Sequence, residues 1–161
     1  MGEEHKDIRE VMKEVVTSVS VILVLDDGNI DGCTISSLVS ININIENACI
    51  LFVLRKTSRT LEKIIEKKLF SISVLGESMP DIAKRFSTTR ERVRLDELPS
   101  DIEFWHGVPV ISKSSAIFLC LVDKIISDYD SIIVIAKVFK FNNGNCPPLV
   151  YYNRTFRNLG K

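Results

Sequence analysis

Histidine is nearly missing from this sequence: His5 and His106 are the two imidazoles among 161 residues. Two such residues, one of them beside the N-terminus, do not support a Ser/His/Asp or Cys/His catalytic set. The four cysteines (Cys33, Cys49, Cys120 and Cys146) are widely spaced with no Cys-x-x-Cys pair, so zinc-ligand spacing is absent as well. Seven glycines occur, none in a dinucleotide fingerprint or phosphate loop. Neither sign of charge dominates: Lys plus Arg and Asp plus Glu are 21 each, which offers nucleic acid or an anionic membrane no overall attraction. Long apolar runs are lacking too. Val21 to Leu25 and Ala48 to Leu54 fall far short of the roughly 20 residues that span a bilayer, and Met1 to Glu10 has no apolar signal core. The expectation is a cytoplasmic protein with no nucleic-acid or membrane partner and no disulfides. Cys49 and Cys120, in apolar runs, read as core thiols.

What is present is ordinary for a folded domain. Hydrophobic content of 45% and charged content of 26% fit one domain over residues 1–161. Ile8, Val11, Met12, Val15 and Val16 recur on one face of a short helix. Val19 to Leu25 reads as a strand, Asp26-Asp27-Gly28-Asn29 as a hairpin turn, and the residues after it as the return strand. Ile41 to Ile45 alternates as a half-buried strand should, and Ala48 to Leu54 reads as a strand buried on both faces. Thr57 to Thr60 opens a helix with Leu61, Ile64 and Ile65 facing inward. Leu69 to Leu75 is a strand, with Phe70, Ile72 and Val74 opposite Ser71 and Ser73. Pro80 sits in the first turn of a helix carrying Ile82, Ala83 and Phe86. Residues 87–112, with Arg90, Arg92 and Arg94 against Glu91, Asp96 and Glu97, read as an irregular solvated connection. Two long strands, Ser115 to Ser127 and Ser131 to Phe141, meet at Asp128-Tyr129-Asp130, and an aromatic tail carries Tyr151, Tyr152 and Phe156. About seven strands, mostly hairpin-connected, with three short helices predict a mainly β antiparallel barrel with peripheral helices.

The stretch from Asp31 to Ile43 stands out. After a Gly turn it sets Thr34, Ser36, Ser37 and Ser40 among Ile35, Leu38, Val39 and Ile41. Two readings of the residues stay open. The hydroxyls belong either to a half-exposed strand or to a site that grips the edge of a flat polar ligand while apolar atoms cover its face.

The order of motifs resembles the flavin reductase-like family from Val11 to Gly160. Gly32-Cys33-Thr34-Ile35-Ser36-Ser37 is similar to its Gly-Met-Thr-x-Ser-Ser/Ala pattern, and Ser40-Ile41-Asn42-Ile43 to the Ser-Val-Ser-Leu that follows. Leu54 to Leu61 resembles its strand-to-helix passage. Phe70-Ser71-Ile72-Ser73-Val74-Leu75 and Ile82-Ala83-Lys84-Arg85-Phe86 look like Phe-x-Val-Asn-x-Leu and Leu-Ala-x-Arg-Phe. Pro148-Leu149-Val150-Tyr151 is close to the Pro-Leu-Leu-Tyr ending.

The resemblance implies an antiparallel FMN-binding split β-barrel. It implies a flavin reductase of the kind that serves a monooxygenase or other electron-acceptor protein, with FMN or FAD as cofactor and NADH or NADPH as electron donor. Thr34, Ile35, Ser36, Ser37 and Ser40 would line the isoalloxazine ring, and Phe86 would pack beside it. Ser58 and Thr60 would bind the flavin phosphate at a helix N-terminus, helped by Lys56 and Arg85. A homodimer is implied, with the aromatic tail a candidate for the contact or for packing inside its own subunit. The chain departs from the family where a Gly-Asp-His turn would meet the nicotinamide: Tyr129, Asp130 and Ser131 stand there, and Ala136 replaces a usual Gly. The alternative activity is therefore a flavoprotein that takes electrons from another protein.

Overall fold

The computed structural model describes residues 7–88 and 92–160. Three helices, α1 (Ile8–Met12), α2 (Arg59–Lys67) and α3 (Pro80–Ser87), accompany thirteen strands among the described residues. Eight strands form one antiparallel sheet. In spatial order they are β4 (Val39–Asn42), β5 (Cys49–Arg55), β11 (Ser131–Asn143), β10 (Ala116–Asp128), β6 (Leu69–Val74), β2 (Ser20–Asp26), β3 (Asn29–Ile35) and β7 (Arg92–Arg94). The end strands β4 and β7 do not pair with one another, so the mainly β sheet is an unclosed barrel, as a split barrel requires. β8 (Ile102–Trp105) and β9 (Val108–Ile111) make a hairpin, while β1 (Thr17–Ser18) joins β12 (Val150–Tyr152) and β13 (Thr155–Arg157).

The β2–β3 hairpin positions the rest. Asp27 and Gly28 take φ of 40° and 83°, as a two-residue turn with the right-handed strand twist demands. Successive residues of β2 then enter two cores. Ile22 and Val24 meet Leu61 and Ile64 of α2, together with Phe52 and Phe70, whose rings meet edge-on at 5.6 Å. Val21 and Leu23 meet Ala83 and Phe86 of α3. Burial on both faces thus falls to β2. The expectation of it for Ala48 to Leu54 is corrected, because Ile50, Phe52 and Leu54 are buried while Cys49, Leu51 and Val53 are half-buried.

Four other expectations change. Asp31 to Ile43 is not one strand opened by a Gly turn. Gly32 lies inside β3 opposite Leu23, where a Cβ would meet Leu23 Cδ2 at 2.7 Å and Phe86 Cδ1 at 2.8 Å. The chain leaves β2 after Ile35 and rejoins the sheet beside β5. Ser37 makes the crossing, its Oγ accepting from Val53 N at 2.9 Å and donating to Val53 O at 3.3 Å, as a strand partner would. Second, Ile41, Ile43 and Ile45 are exposed, because β4 ends at Asn42 on the sheet edge. Third, the apolar face of α1 and the Ile65 side chain on α2 are exposed, no element among the described residues covering them. Fourth, residues 92–112 are structured: β7 extends the sheet beside β3, and β9 lies over β6, where Ser71 Oγ donates to Pro109 O at 2.5 Å and Ser73 Oγ accepts from Ile111 N at 3.1 Å. Arg90 and Glu91 lie outside the described residues. The aromatic tail packs in its own subunit, with Tyr151 and Phe156 against the second core.

Candidate functional site

A cleft of about 580 Å³ opens between β3, the end of β5, the start of α2 and the end of α3. Each wall follows from local sequence. Ile35, Val53, Leu54 and Phe86 give it an apolar lining, contributed by β3, β5 and α3. Gly32 lets the Phe86 ring lie directly on β3. At the other end stands the start of α2. Ser58 is its N-cap, with Oγ accepting from Leu61 N at 3.3 Å, and the positive end of the helix dipole faces the cleft beside Arg55 and Arg59. The lining thus joins apolar residues of β3, β5 and α3 to the cationic start of α2.

A buried ion-pair network fixes that cationic end. Asp31, fully buried on β3, accepts from Arg59 Nε and lies 3.4 Å from Arg92 Nε. Asp26, also buried, takes Arg92 Nη2 at 2.8 Å, Lys63 Nζ at 3.1 Å and Lys67 Nζ at 3.4 Å. Burial alone would raise the Asp26 carboxyl. Hydrogen bonds from Lys63 and Lys67 outweigh it and hold the pKa below its ordinary value. Arg59, Lys63 and Lys67 recur every four residues, so one face of α2 is clamped to the β2–β3 hairpin. Arg92 is part of this clamp, not the solvated surface charge its sequence context suggests; Arg94, paired with Asp96, is exposed as expected.

The sequence-derived candidates divide. Thr34, Ile35, Ser36, Ser37, Ser58, Thr60 and Phe86 come together in the cleft. Several of their hydroxyls already have protein partners: Thr34 Oγ1 donates to Ala83 O at 2.7 Å, and Ser37 is bound to Val53. Ser36 is exposed at the mouth. Ser40, on the β4 edge, lies outside. Lys56 lines a neighbouring groove. Arg85 pairs with Asp101 at 3.0 Å, its guanidinium lies 4.9 Å from the Phe86 ring centre, and it does not itself line the cleft. Tyr129, Asp130 and Ser131 form the β10–β11 turn, one strand from the wall: Asp130 O accepts from Lys56 N at 3.0 Å and Ser131 pairs with Arg55. Tyr129 is 89% exposed there.

Residues that the sequence reading missed also line the cleft, among them Gly32, Cys33, Arg55, Thr57 and Arg59. Arg59 carried a signal, since a cation between two hydroxyl residues at a helix start is suited to an anion. Burial pushes the Cys33 thiol up to about 12 against an opposing hydrogen bond from Thr60, so it stays protonated and passive at neutral pH. Among the described residues no group of His, Cys, Asp and Glu is arranged to hold a metal ion, and no helix is long and apolar enough to cross a membrane.

The chain belongs to the flavin reductase like domain family, which it matches over residues 12–160. It is 29% identical to a "Probable flavin reductase" of Rhizobium meliloti (strain 1021), covering 92% of this chain and 47% of that protein. The chain therefore spans about half the length of that relative. It is 26% identical to the NADH:riboflavin 5'-phosphate oxidoreductase of Streptomyces pristinaespiralis, over 94% of this chain and 86% of the relative. Its fold is that of the styrene monooxygenase flavin reductase from Pseudomonas putida S12, with a TM-score of 0.84 at 22% identity, covering 97% of this chain and 99% of that one.

Proposed function

We propose that the whole chain is one NAD(P)H:flavin oxidoreductase domain, cytoplasmic, which binds FMN or FAD in the α2 cleft and supplies reduced flavin to a monooxygenase or another acceptor. The observation that carries this reading is the division of the cleft into an apolar floor and a cationic helix start. A flavin has the matching halves, a flat ring and an anionic phosphate. Ile35, Leu54 and Phe86 would cover the ring, main-chain groups and Ser36 would meet its polar edge, and Ser58, Thr60 and Arg59 would hold the phosphate.

When bound, flavin supplies the redox chemistry, accepting hydride from a reduced nicotinamide at its N5. The protein's part is positional. The β3–β5 floor fixes the plane on which two rings can meet, and the α2 start sets how far the phosphate end reaches. Arg55 and Arg59 add positive charge to a site that must tolerate an anionic reduced ring. The protonated Cys33 thiol offers no competing nucleophile.

One observation favours a second reading, a flavoprotein reduced by another protein. Tyr129 and Ser131 stand where the family's nicotinamide-contacting turn carries Gly and His, and Tyr129 is exposed next to Asp130, whose O accepts from Lys56 N. The purified protein should take up FMN or FAD, turn yellow, and bleach when NADH or NADPH is added anaerobically. A yellow protein that neither nicotinamide bleaches would establish the second reading, and failure to take up either flavin would defeat both.

The active form in this proposal is a homodimer. Val39, Ile41, Ile43 and Ile45 leave an apolar row on the β4 edge, and an uncovered edge strand of this kind calls for a partner. Ile41→Lys with Ile43→Lys should shift light-scattering mass from dimer to monomer.

A further inference from the structure

The cations of the buried network do not share one place. Lys63, Lys67 and Arg92, which pair with Asp26, lie outside the cleft lining, whereas Arg59 is part of it. Arg59 is met by a different carboxylate, Asp31, from 28 residues away on β3. Asp31 is fully buried; its Oδ1 accepts from Arg59 Nε, while its Oδ2 accepts no hydrogen bond among the described residues. Burying a carboxylate is costly, and an oxygen left without a donor adds to that cost. Asp26 already ties α2 to the β2–β3 hairpin through Lys63 and Lys67, so a second buried carboxylate calls for a further purpose. Its partner Arg59 is the first residue of α2, directly after the Ser58 N-cap. The bond is made at Nε, the root of the planar guanidinium, and so it orients the whole fork.

We propose that Asp31 is a positioning residue that aims the Arg59 guanidinium at the flavin phosphate and thereby sets the preference for a phosphorylated flavin over riboflavin. The inference rests on the flavin reading above and goes beyond it, because Asp31 itself lies outside the cleft lining. Two effects of this carboxylate oppose one another. Through space its negative charge repels a phosphate; through Arg59 it orients a fork that bonds one. Positioning wins. The Asp31 charge is balanced by Arg59 and by Arg92 Nε at 3.4 Å, so little of it reaches the cleft, whereas a charge-assisted hydrogen bond is lost once the fork turns. Removing this negative charge therefore weakens the binding of an anion, the reverse of what charge alone demands.

The test is to titrate the wild type, Asp31→Asn, Arg59→Ala and the double variant with FMN and with riboflavin. Flavin fluorescence follows binding, well below the unfolding midpoint of each protein. Asn offers Arg59 Nε a neutral acceptor, a bond about half as strong as the charge-assisted one. Asp31→Asn should weaken FMN about tenfold and riboflavin by less than about twofold. In the Arg59→Ala background the same change should leave the ratio of FMN to riboflavin affinity unaltered, because the arginine through which Asp31 acts is gone. Equal losses for both flavins, or none for either, would overturn the proposal by leaving Asp31 a purely structural role. Tighter FMN binding would overturn it too, since charge and not position would then govern. A fall in the ratio that persists without Arg59 is equally fatal, as is a wild type that binds FMN no better than riboflavin. A wild type that binds neither flavin would instead remove the flavin reading on which the proposal rests.

Discussion

Replacing Asp31 by Asn keeps the size of a fully buried side chain and removes its charge. Arg59 and Arg92 then face an amide that cannot neutralise them. Breaking a buried ion pair and stranding its partner costs about 3–5 kcal/mol. Here the partners are not fully buried, their side chains being 38% and 41% exposed, and Arg92 keeps Asp26 at 2.8 Å. Water and Asp26 therefore compensate in part, and the expected loss is about 2 kcal/mol. For a domain of this size that lowers Tm by about 4–8 °C. Asp96→Asn is the control, because its pair with Arg94 is exposed on both sides and belongs to the class worth under about 1 kcal/mol. Thermal unfolding followed by circular dichroism at neutral pH separates the two. If Asp31→Asn unfolds within a degree or so of the wild type, or no lower than Asp96→Asn, the clamp does not hold α2 and the reasoning fails.

Gly32→Ala should destabilise by about 1–3 kcal/mol and displace Phe86 toward the cleft, since the new methyl would meet Leu23, Phe86 and the Ile22 carbonyl oxygen at 2.7, 2.8 and 2.9 Å. Denaturant unfolding measures the first effect and flavin titration the second. Ser58→Ala with Thr60→Ala should weaken FMN more than riboflavin, because only FMN has a phosphate to lose a partner. Equal losses would mean that the two residues serve the helix alone. Asp26 sets an acid limb to stability. Its folded pKa lies below the ordinary carboxylate value, so its contribution is full above that ordinary value and disappears as pH falls through the folded pKa. The Tm gap between wild type and Asp26→Asn should accordingly shrink as the medium is acidified below about pH 4; a gap that widens would show the opposite sign.

What could be read in the chain was local. Ser58 announces a helix cap because the hydroxyl and the N–H it accepts are three residues apart. The Asp26 to Asn29 turn is likewise a property of its own residues. The clamp was hidden because Asp31 meets Arg59 and Arg92 across the fold, and nothing near Arg92 in sequence distinguishes it from the exposed Arg94. Gly32 was misread for a related reason. Glycine signals either a turn or a close approach, and the atoms that make it the latter come from β2 and α3. Of the alternating run Ile41 to Ile45 only Ile41 and Asn42 lie in a strand, since β4 ends there, and periodicity does not say what covers the isoleucines. Among the described residues nothing does.

The departure at Tyr129 and Ser131 looks different once its place is known. In the sequence it leaves the flavin motifs standing and puts only the use of a nicotinamide donor in doubt. In the fold these residues form a turn held to Lys56 through a backbone bond, outside the cleft lining that Ile35, Ser58 and Phe86 define. Exchanging an imidazole for a hydroxyl there leaves the floor and the cationic end intact. On the proposed reading it would change only what an approaching donor meets beside the cleft. On that reading, flavin capture would rest on β3 and α2 and the choice of electron donor on the tip of the β10–β11 hairpin, so the two would be separable.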